Sequence, residues 1–305
     1  MNPEFIQMRS NINKRELINK CFAIIGLLII IVSVMILCGL TIKMATTGID
    51  RIRPGFFTSF PSRNPEEAGI LSAWVGTSLV MLVTIIFGIP LGISAGIYLE
   101  EYAPKNWFTD LIEINVNNLA GVPSIVYGLL ALGLFVEKFK LGESVLTAGL
   151  TLALLILPVV IVTTREALRA IPNYLREAAY ALGATKWQMI WDHILPYSSG
   201  SILTGIIIGL SRAIGETAPL VTIGALTFIT FLPESPFKDF PSNLFKWLTS
   251  PFTVMPIQMF NWVSRPDPEF EKNSAAAGTV LITMTLAMNG MAIYLRYILR
   301  KGIKW

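Results

Sequence analysis

Long apolar runs alternate with short polar stretches along this chain. A run of about 20 apolar residues is the length that crosses the hydrocarbon core of a bilayer as a helix. Six runs of roughly this kind are present, so the pattern predicts an all-α membrane protein with six transmembrane helices. Their predicted bounds, in chain order, are 21–42, 70–98, 117–136, 144–163, a segment within 198–232, and 274–295.

The segments between the spans divide the rest of the chain. Predicted tails cover 1–20 and 297–305, a loop covers 43–69, and one core covers 70–296, with its two long loops at 165–197 and 233–273. The many prolines of 233–273 predict irregular structure. Its apolar residues predict that part of it lies on the bundle or at the membrane interface: Phe252, Met255, Met259, Phe260 and Trp262.

Basic residues predict the orientation. They cluster in three short segments: Arg9, Lys14, Arg15 and Lys20; Arg165, Arg169, Arg176 and Lys186; Arg296, Arg300, Lys301 and Lys304. Six spans bring all three segments to one side, which the excess of Lys and Arg in cytoplasmic loops makes the cytoplasmic side. Both termini are therefore predicted to be cytoplasmic, and the loops 43–69 and 233–273 external.

Composition narrows the class of protein. The chain is 53% hydrophobic and 14% charged, against roughly 25% charged residues in soluble domains. The net charge of +4 is not gathered into a basic run suited to a phosphate backbone, so no nucleic-acid partner is predicted. Cys21 and Cys38 lie about 25 Å apart on one predicted helix and cannot form a disulfide. With one His and no cysteine cluster, neither a metal site nor a cofactor is predicted.

Residues 172–196 form a polar, helix-prone stretch between two apolar runs. The sequence predicts two short helices there, the first capped by Asn173. Gly183 is the predicted break, and Thr185 with Gln188 has the spacing of a capping box that starts the second helix. Pro196 is predicted to close this unit and begin the fifth span.

Small residues are predicted on the surface of the turn in this unit: Ala178, Ala179, Leu182 and Gly183. An apolar face is predicted from Tyr174, Leu175, Trp187, Ile190 and Trp191. Two interpretations stay open from these residues alone. The unit lies on lipid headgroups with Trp187 and Trp191 as anchors, or it docks into a groove of another protein.

One motif in this stretch resembles a known family. Its residues are Glu177, Ala178, Ala179, Gly183, Leu195 and Pro196, at the spacing of the Glu-Ala-Ala signature in permease subunits of ABC importers. His193 stands where that signature has Ile. The resemblance implies the MetI-like, type I importer fold in a bacterial inner membrane, with this loop as the cytoplasmic coupling helix that docks on a dimer of ATP-binding subunits. The chain has no phosphate-binding loop of its own, so it is predicted to be a transport subunit and not an enzyme.

Two charges lie inside the predicted fifth span. Arg212 lies about 24 Å along a helix from Pro196, where a charge costs about 2.5–3.5 kcal/mol to insert. Glu216 follows one turn later on the same face, and Pro219 is predicted to bend the helix beside the pair. Either the two charges satisfy each other and hold the bundle together, or they line an anion path.

An anion path has a chemical rationale. A guanidinium offers a planar fork of donors to phosphate or carboxylate oxygens. Glu216 would hold Arg212 when the path is empty and accept a hydrogen bond from a protonated oxyanion. Phosphate carries such a proton near neutral pH and sulfate does not, which would discriminate between them. Ser124 and Tyr127 either line the same path or pack between helices.

A second resemblance concerns these residues. The segments 212–220, which includes Thr217, and 121–128 look like the A-type permease subunit of phosphate ABC importers. That resemblance implies a substrate path formed with a homologous C-type permease subunit, and an extracytoplasmic phosphate-binding protein as a further partner. The alternatives are a permease for another oxyanion, an ATP-independent anion channel or carrier, and an intramembrane enzyme using Glu216, for which no nucleophile–base pair is present.

Overall fold

A computed structural model describes residues 3–233 and 245–301 of the chain. All regular secondary structure in this part of the chain is helical. The α-helices are α1 Pro3–Gly48, α2 Pro54–Thr58, α3 Leu71–Ile97, α4 Trp107–Leu119, α5 Ser124–Ala131, α6 Val145–Arg169, α7 Asn173–Ala181, α8 Lys186–Gln188, α9 Leu195–Gly215, α10 Ala218–Thr222, α11 Met255–Val263 and α12 Glu269–Lys301. Three π-helical segments extend or join them: Tyr98–Tyr102 after α3, Leu132–Lys138 after α5, and Met189–Ile194 between α8 and α9.

The chain is a multi-pass membrane protein. Five helices of the described residues are long and apolar enough to cross a bilayer: Arg15–Arg51, Leu71–Tyr102, Val145–Arg169, Lys186–Gly215 and Glu269–Ile298. Helix α4 and the helix Ser124–Lys138 pass the same test only together, and they meet at an angle of 107°, as a broken span or a re-entrant loop does. The described residues therefore hold five candidate spans, or six with this bent pair, in agreement with the predicted all-α membrane fold.

The third span was predicted as one helix over 117–136, but the structure has two helices there. Residues 117–119 belong to α4, and the chain turns before α5 begins at Ser124. Pro123 explains the break, because its ring lacks an N–H donor and disfavours helical backbone at Val122. The break therefore separates α4 from the helix that begins at Ser124.

Helix α6 is the centre of the bundle and packs on α3 and α9. The contact with α3 is close because α3 presents glycines to α6. A side chain at Gly92 would meet Val160, and one at Gly96 would meet Thr164. Small residues at such crossings let two helix backbones approach closely. This close packing drives helix association in a membrane, because lipid tails are as apolar as protein side chains.

Helix α1 stands at the edge of this bundle. The apolar window of its span is 0% buried, and its main contact is with α12, where Gly48 lies against the backbone of Ala275 and Ala276. The helix covers Pro3–Gly48, so it extends beyond the predicted span 21–42 on both sides, and residues 3–20 and 43–48 are helical. Likewise α12 runs from Glu269 to Lys301, beyond the predicted 274–295 and into the predicted tail, whose residues 302–305 lie outside the described residues.

The predicted irregular loop 233–273 contains regular structure. Helix α11 and the first residues of α12 fall within it, and residues 234–244 lie outside the described residues. Pro256 occupies the first turn of α11, where proline is tolerated. Phe252, Met255 and Trp262 are buried, which confirms that this segment packs on the bundle, while Phe260 is exposed.

Candidate functional site

The fifth span is interrupted in its second half. Helix α9 ends at Gly215, Glu216 has extended backbone, and α10 begins at Ala218 with Pro219 in its first turn. The sequence predicted a bend within one helix, and the structure shows a complete break. The reason is that Pro219 cannot donate to the carbonyl of Gly215 and its ring would clash with that carbonyl. The last carbonyls of α9 therefore lack helical partners, which membrane proteins tolerate beside a cavity or packed protein.

Arg212 and Glu216 flank this break and contact each other. Nε of Arg212 lies 3.3 Å from Oε1 of Glu216, and their side chains are 38% and 19% exposed. No described residue accepts a hydrogen bond from either Nη group of Arg212. Ile208, one turn earlier on the same face, is also exposed. This face of α9 is therefore left open by its own chain, with half of the guanidinium fork available.

The neighbouring residue ties α9 to the last span. The Ser211 hydroxyl lies 2.7 Å from the carbonyl oxygen of Ile207 and 2.8 Å from Oδ1 of Asn289 in α12. Sequence reasoning missed Asn289, although a lone amide in the middle of an apolar span is a signal for a helix–helix hydrogen bond. This contact fixes the rotation of α9 and hence the direction of its open face.

The two sequence motifs that resemble phosphate permeases meet in space. A side chain at Gly128 in α5 would collide with the backbone of Pro219 and with Thr222. The absence of a side chain there lets α10 lie directly on α5. Ser124, at the start of α5, and Thr217, immediately before α10, are both half-buried.

Tyr127 of α5 has a defined structural contact. Its side chain is buried, and its hydroxyl donates a hydrogen bond of 2.8 Å to the carbonyl oxygen of Leu119. This bond joins α5 to the end of α4 across the break in the third span. The contact supports the packing interpretation.

At the other end of α9, residues 173–194 form the predicted two-helix unit. Gly183 has φ of +84°, and the backbone N–H groups of Gly183 and Ala184 bond to the carbonyls of Tyr180 and Ala179. This pattern is a Schellman cap, so the predicted break is confirmed. The capping box of Thr185 and Gln188 is also confirmed.

Two local predictions for this unit are wrong. Asn173 does not cap α7: Pro172 holds the cap position without a side-chain bond, and Asn173 is the first helical residue. Pro196 does not close the unit, because Lys186–Gly215 is one continuous helix. The π-helical segment before Leu195 shifts the hydrogen-bond register. Pro196 then occupies the first turn of α9, where a proline without an N–H donor is tolerated.

The exposed surface of the unit is smaller than predicted. Glu177, Ala178, Leu182 and Gly183 are exposed, but Ala179 is only 4% exposed. Ala179 packs in a cluster with Leu168, Ile171, Met189, Ile190 and Ile194. Helical periodicity turns Ala179 inward when Ala178 faces out, and Ile190, predicted on the outer face, is buried for the same reason.

Ion pairs fix α7 to the bundle. Arg176 donates from Nε and Nη2 to Oε1 of Glu101, at 3.1 and 2.7 Å. It also donates to the carbonyl oxygens of Leu168 and Ile171, at 2.9 and 2.8 Å. Because Glu101 follows α3 and Leu168 belongs to α6, this one side chain connects the two-helix unit to two spans.

A second pair of arginines connects α6 to α4 and α3. Arg165 lies 2.7 Å from Glu113 of α4 and 3.5 Å from Glu100. Arg169 lies 3.2 Å from Glu100. Glu113 is thereby held between Arg165 and Arg169, at 2.7 and 3.8 Å.

We call these six residues the basic-end network: Glu100, Glu101, Glu113, Arg165, Arg169 and Arg176. They line a cavity of about 550 Å³ together with Lys105 and Asp110. Sequence reasoning used the arginines only for orientation. The signal it overlooked is the pair of carboxylates at the end of the second span, which need partners when three arginines lie at the same level. Among the described residues, no group of His, Cys, Asp or Glu side chains is arranged to hold a metal ion.

Comparison with known proteins gives a consistent result. Residues 88–304 match the family described as binding-protein-dependent transport system inner membrane component. The chain is 37% identical over 245 residues to the phosphate transport system permease protein PstA of Yersinia pestis, covering 80% of this chain and 77% of that protein. It is 31% identical over 237 residues to the protein of the same name from Haemophilus influenzae, covering 77% and 84%.

Solved structures share the fold. A bacterial ABC transporter involved in the import of the acidic polysaccharide alginate superposes with a TM-score of 0.56 at 16% identity, covering 95% of this chain and 98% of that one. The MetNI methionine ABC transporter in an inward-facing conformation superposes with a TM-score of 0.53 at 16% identity, covering 75% and 95%. At this identity the likeness concerns the fold alone, which is that of a MetI-type permease.

Proposed function

This chain belongs to the family of inner membrane components of binding-protein-dependent transport systems, and we propose that it is the permease subunit of an ATP-driven phosphate importer. The observation that carries the proposal is the Arg212–Glu216 pair at the break of a membrane-spanning helix, on a face that its own chain leaves open. The relatives named as phosphate transport permeases support the choice of phosphate.

The open face of α9 forms one wall of the translocation path. A homologous permease subunit of the C type supplies the opposite wall. The free Nη groups of Arg212 bind two oxygens of the anion, because a guanidinium fork matches that geometry. Thr217, before α10, and Ser124, at the start of α5, offer hydroxyl groups to the same anion.

Glu216 supplies selectivity. It pairs with Arg212 in the empty path, so the charge is not left alone in the membrane. When phosphate arrives, the carboxylate accepts a hydrogen bond from a protonated phosphate oxygen. Sulfate has no proton to donate at neutral pH, so it would face an unpaired carboxylate and be rejected.

Force comes from ATP-binding subunits. We place the two-helix unit and both termini in the cytoplasm, where a dimer of those subunits docks on the exposed Glu177, Ala178, Leu182 and Gly183. The basic-end network transmits the motion, since Arg176 links α7 to α3 and α6. A phosphate-binding protein delivers the anion from the external side. The subunit itself catalyses no reaction.

The test is uptake by the complete reconstituted complex in liposomes containing ATP. Arg212→Ala should abolish phosphate uptake while the assembled amount stays normal. Arg212→Lys keeps the charge but lacks the planar fork, so it should retain only a small part of the wild-type phosphate uptake. Ile30→Ala, on the exposed surface of α1 and outside the proposed path, is the control and should transport normally.

Three results would speak against this function. Uptake by Arg212→Ala at the wild-type rate would refute the anion path. Uptake by the permease subunits alone, without ATP-binding subunits, would identify an ATP-independent carrier. Equal transport of sulfate and phosphate would refute the role of Glu216 and indicate a permease for oxyanions in general.

A further inference from the structure

An aromatic groove lies beside the two-helix unit. It has a volume of about 320 Å³ and is lined by Ile97, Tyr98, Tyr102, Trp187, Ile190 and Trp191. One wall is the end of the second span and the other is the start of the fifth. Tyr98, Trp187 and Trp191 are exposed, so the groove is open.

The depth of the groove limits what can occupy it. The second span, Leu71–Tyr102, has 32 residues, and a helix of that length extends about 48 Å. A bilayer with its headgroups is about 40–45 Å thick. The last turns of this helix therefore lie at the headgroup level, and the groove opens there. Its occupant comes from the membrane and not from the aqueous phase.

The chemistry of the groove matches a lipid. Tyrosine and tryptophan are the residues that proteins place at membrane–water interfaces. The rings of Trp187 and Trp191 lie 5.2 Å apart and form a continuous apolar floor. At the rim, Nζ of Lys186 lies 4.8 Å from the centre of the Tyr102 ring. A cation at the mouth of an apolar groove complements an anionic headgroup above an acyl chain.

We propose that this groove binds one anionic phospholipid, with an acyl chain along Tyr98 and Trp191 and the headgroup on Lys186. The lipid joins the end of α3 to the start of the fifth span and so stiffens the two-helix unit. The two interpretations left open by the sequence then both hold: α7 presents the protein-docking surface, and the α8 side contacts lipid. The binding claim requires only membrane embedding and does not depend on which ion is transported.

The experiment uses the complete complex in nanodiscs and measures tryptophan fluorescence. Brominated phosphatidylglycerol quenches tryptophans it touches, and brominated phosphatidylcholine of equal chain length is the neutral reference. We expect stronger quenching by the anionic lipid, with the difference removed by replacing both Trp187 and Trp191 with Phe. Lys186→Glu should weaken binding of phosphatidylglycerol by more than about fivefold, because it removes one cation, worth about fivefold near an anionic surface, and adds an anion. Lys105→Glu, at the same end but in the charged cavity, should leave it unchanged.

Three outcomes would overturn the proposal. Equal quenching by the two lipids would mean that the groove has no anionic preference. Unchanged quenching after Trp187 and Trp191 are replaced would mean that the lipid binds elsewhere. Quenching in the isolated subunit that disappears in the complex would mean that the partner permease covers the groove. The wild-type comparison decides the case even if Lys186→Glu does not assemble.

Discussion

Replacing Arg176 with Ala should loosen the two-helix unit from the bundle. The side chain makes five hydrogen bonds: two to Glu101, two to the carbonyls of Leu168 and Ile171, and a longer one to Oδ1 of Asn173. Arg176 and Glu101 are 16% and 7% exposed. Truncation therefore leaves a nearly buried carboxylate without its partner.

The size of the effect follows from that burial. Breaking a buried ion pair by removing one partner costs about 3–5 kcal/mol. Arg176 keeps some contact with water, so we expect the lower end, about 3 kcal/mol. That corresponds to an increase on the order of 10²-fold in the local opening of the unit.

The assay is hydrogen–deuterium exchange of residues 173–185 in the membrane-embedded complex. Arg176→Lys keeps the charge but loses the planar fork, and should give an intermediate effect. Arg169→Ala is the control, because the ion pairs of Arg169 are with Glu100, Glu113 and Glu166, and none of these residues belongs to α7. Exchange in Arg176→Ala as slow as in the wild-type protein would refute the reasoning, as would an equal effect of Arg169→Ala.

Three further substitutions test other contacts. Gly128→Ala should push Pro219 off α5 and cost about 1–3 kcal/mol of overpacking; uptake and thermal stability should both fall, and unchanged values would contradict the close contact. Gly183→Ala forces a side chain into a left-handed backbone and should cost about 1–2 kcal/mol, seen as weaker co-purification of the ATP-binding subunits. Glu113→Gln removes one partner of Arg165, whose side chain is 7% exposed, and should lower thermal stability; an unchanged melting temperature would contradict the ion pair.

The sequence predicted the features that depend on local pattern. Span number follows from the length of apolar runs, and the cap at Thr185 and the turn at Gly183 follow from residues within one or two turns of helix. The motif around Arg212 was visible because a charge is rare in an apolar run. These predictions need no knowledge of distant residues.

Features that depend on contacts between residues far apart in the chain were not predicted from the sequence. Glu101 and Arg176 are separated by 75 residues, and nothing local to either indicates the other. The inward direction of Ala179 depends on which face of α7 meets the bundle, and a motif alone does not give that face. The break in the third span was missed although Pro123 was visible, because the apolar run continues through it. Whether Tyr127 packs or lines a path depended on a hydrogen bond to Leu119 that only the folded chain reveals.

The central claim is that Arg212 binds the anion that the complex transports inward with the energy of ATP hydrolysis. The most direct measurement is ATP hydrolysis by the reconstituted complex, with the phosphate-binding protein and either phosphate or sulfate present. We expect phosphate to stimulate hydrolysis in the wild-type complex, sulfate to have no effect, and the Arg212→Ala complex to hydrolyse ATP without coupled uptake of phosphate. Uptake coupled to hydrolysis in Arg212→Ala, at the wild-type ratio, would contradict the claim.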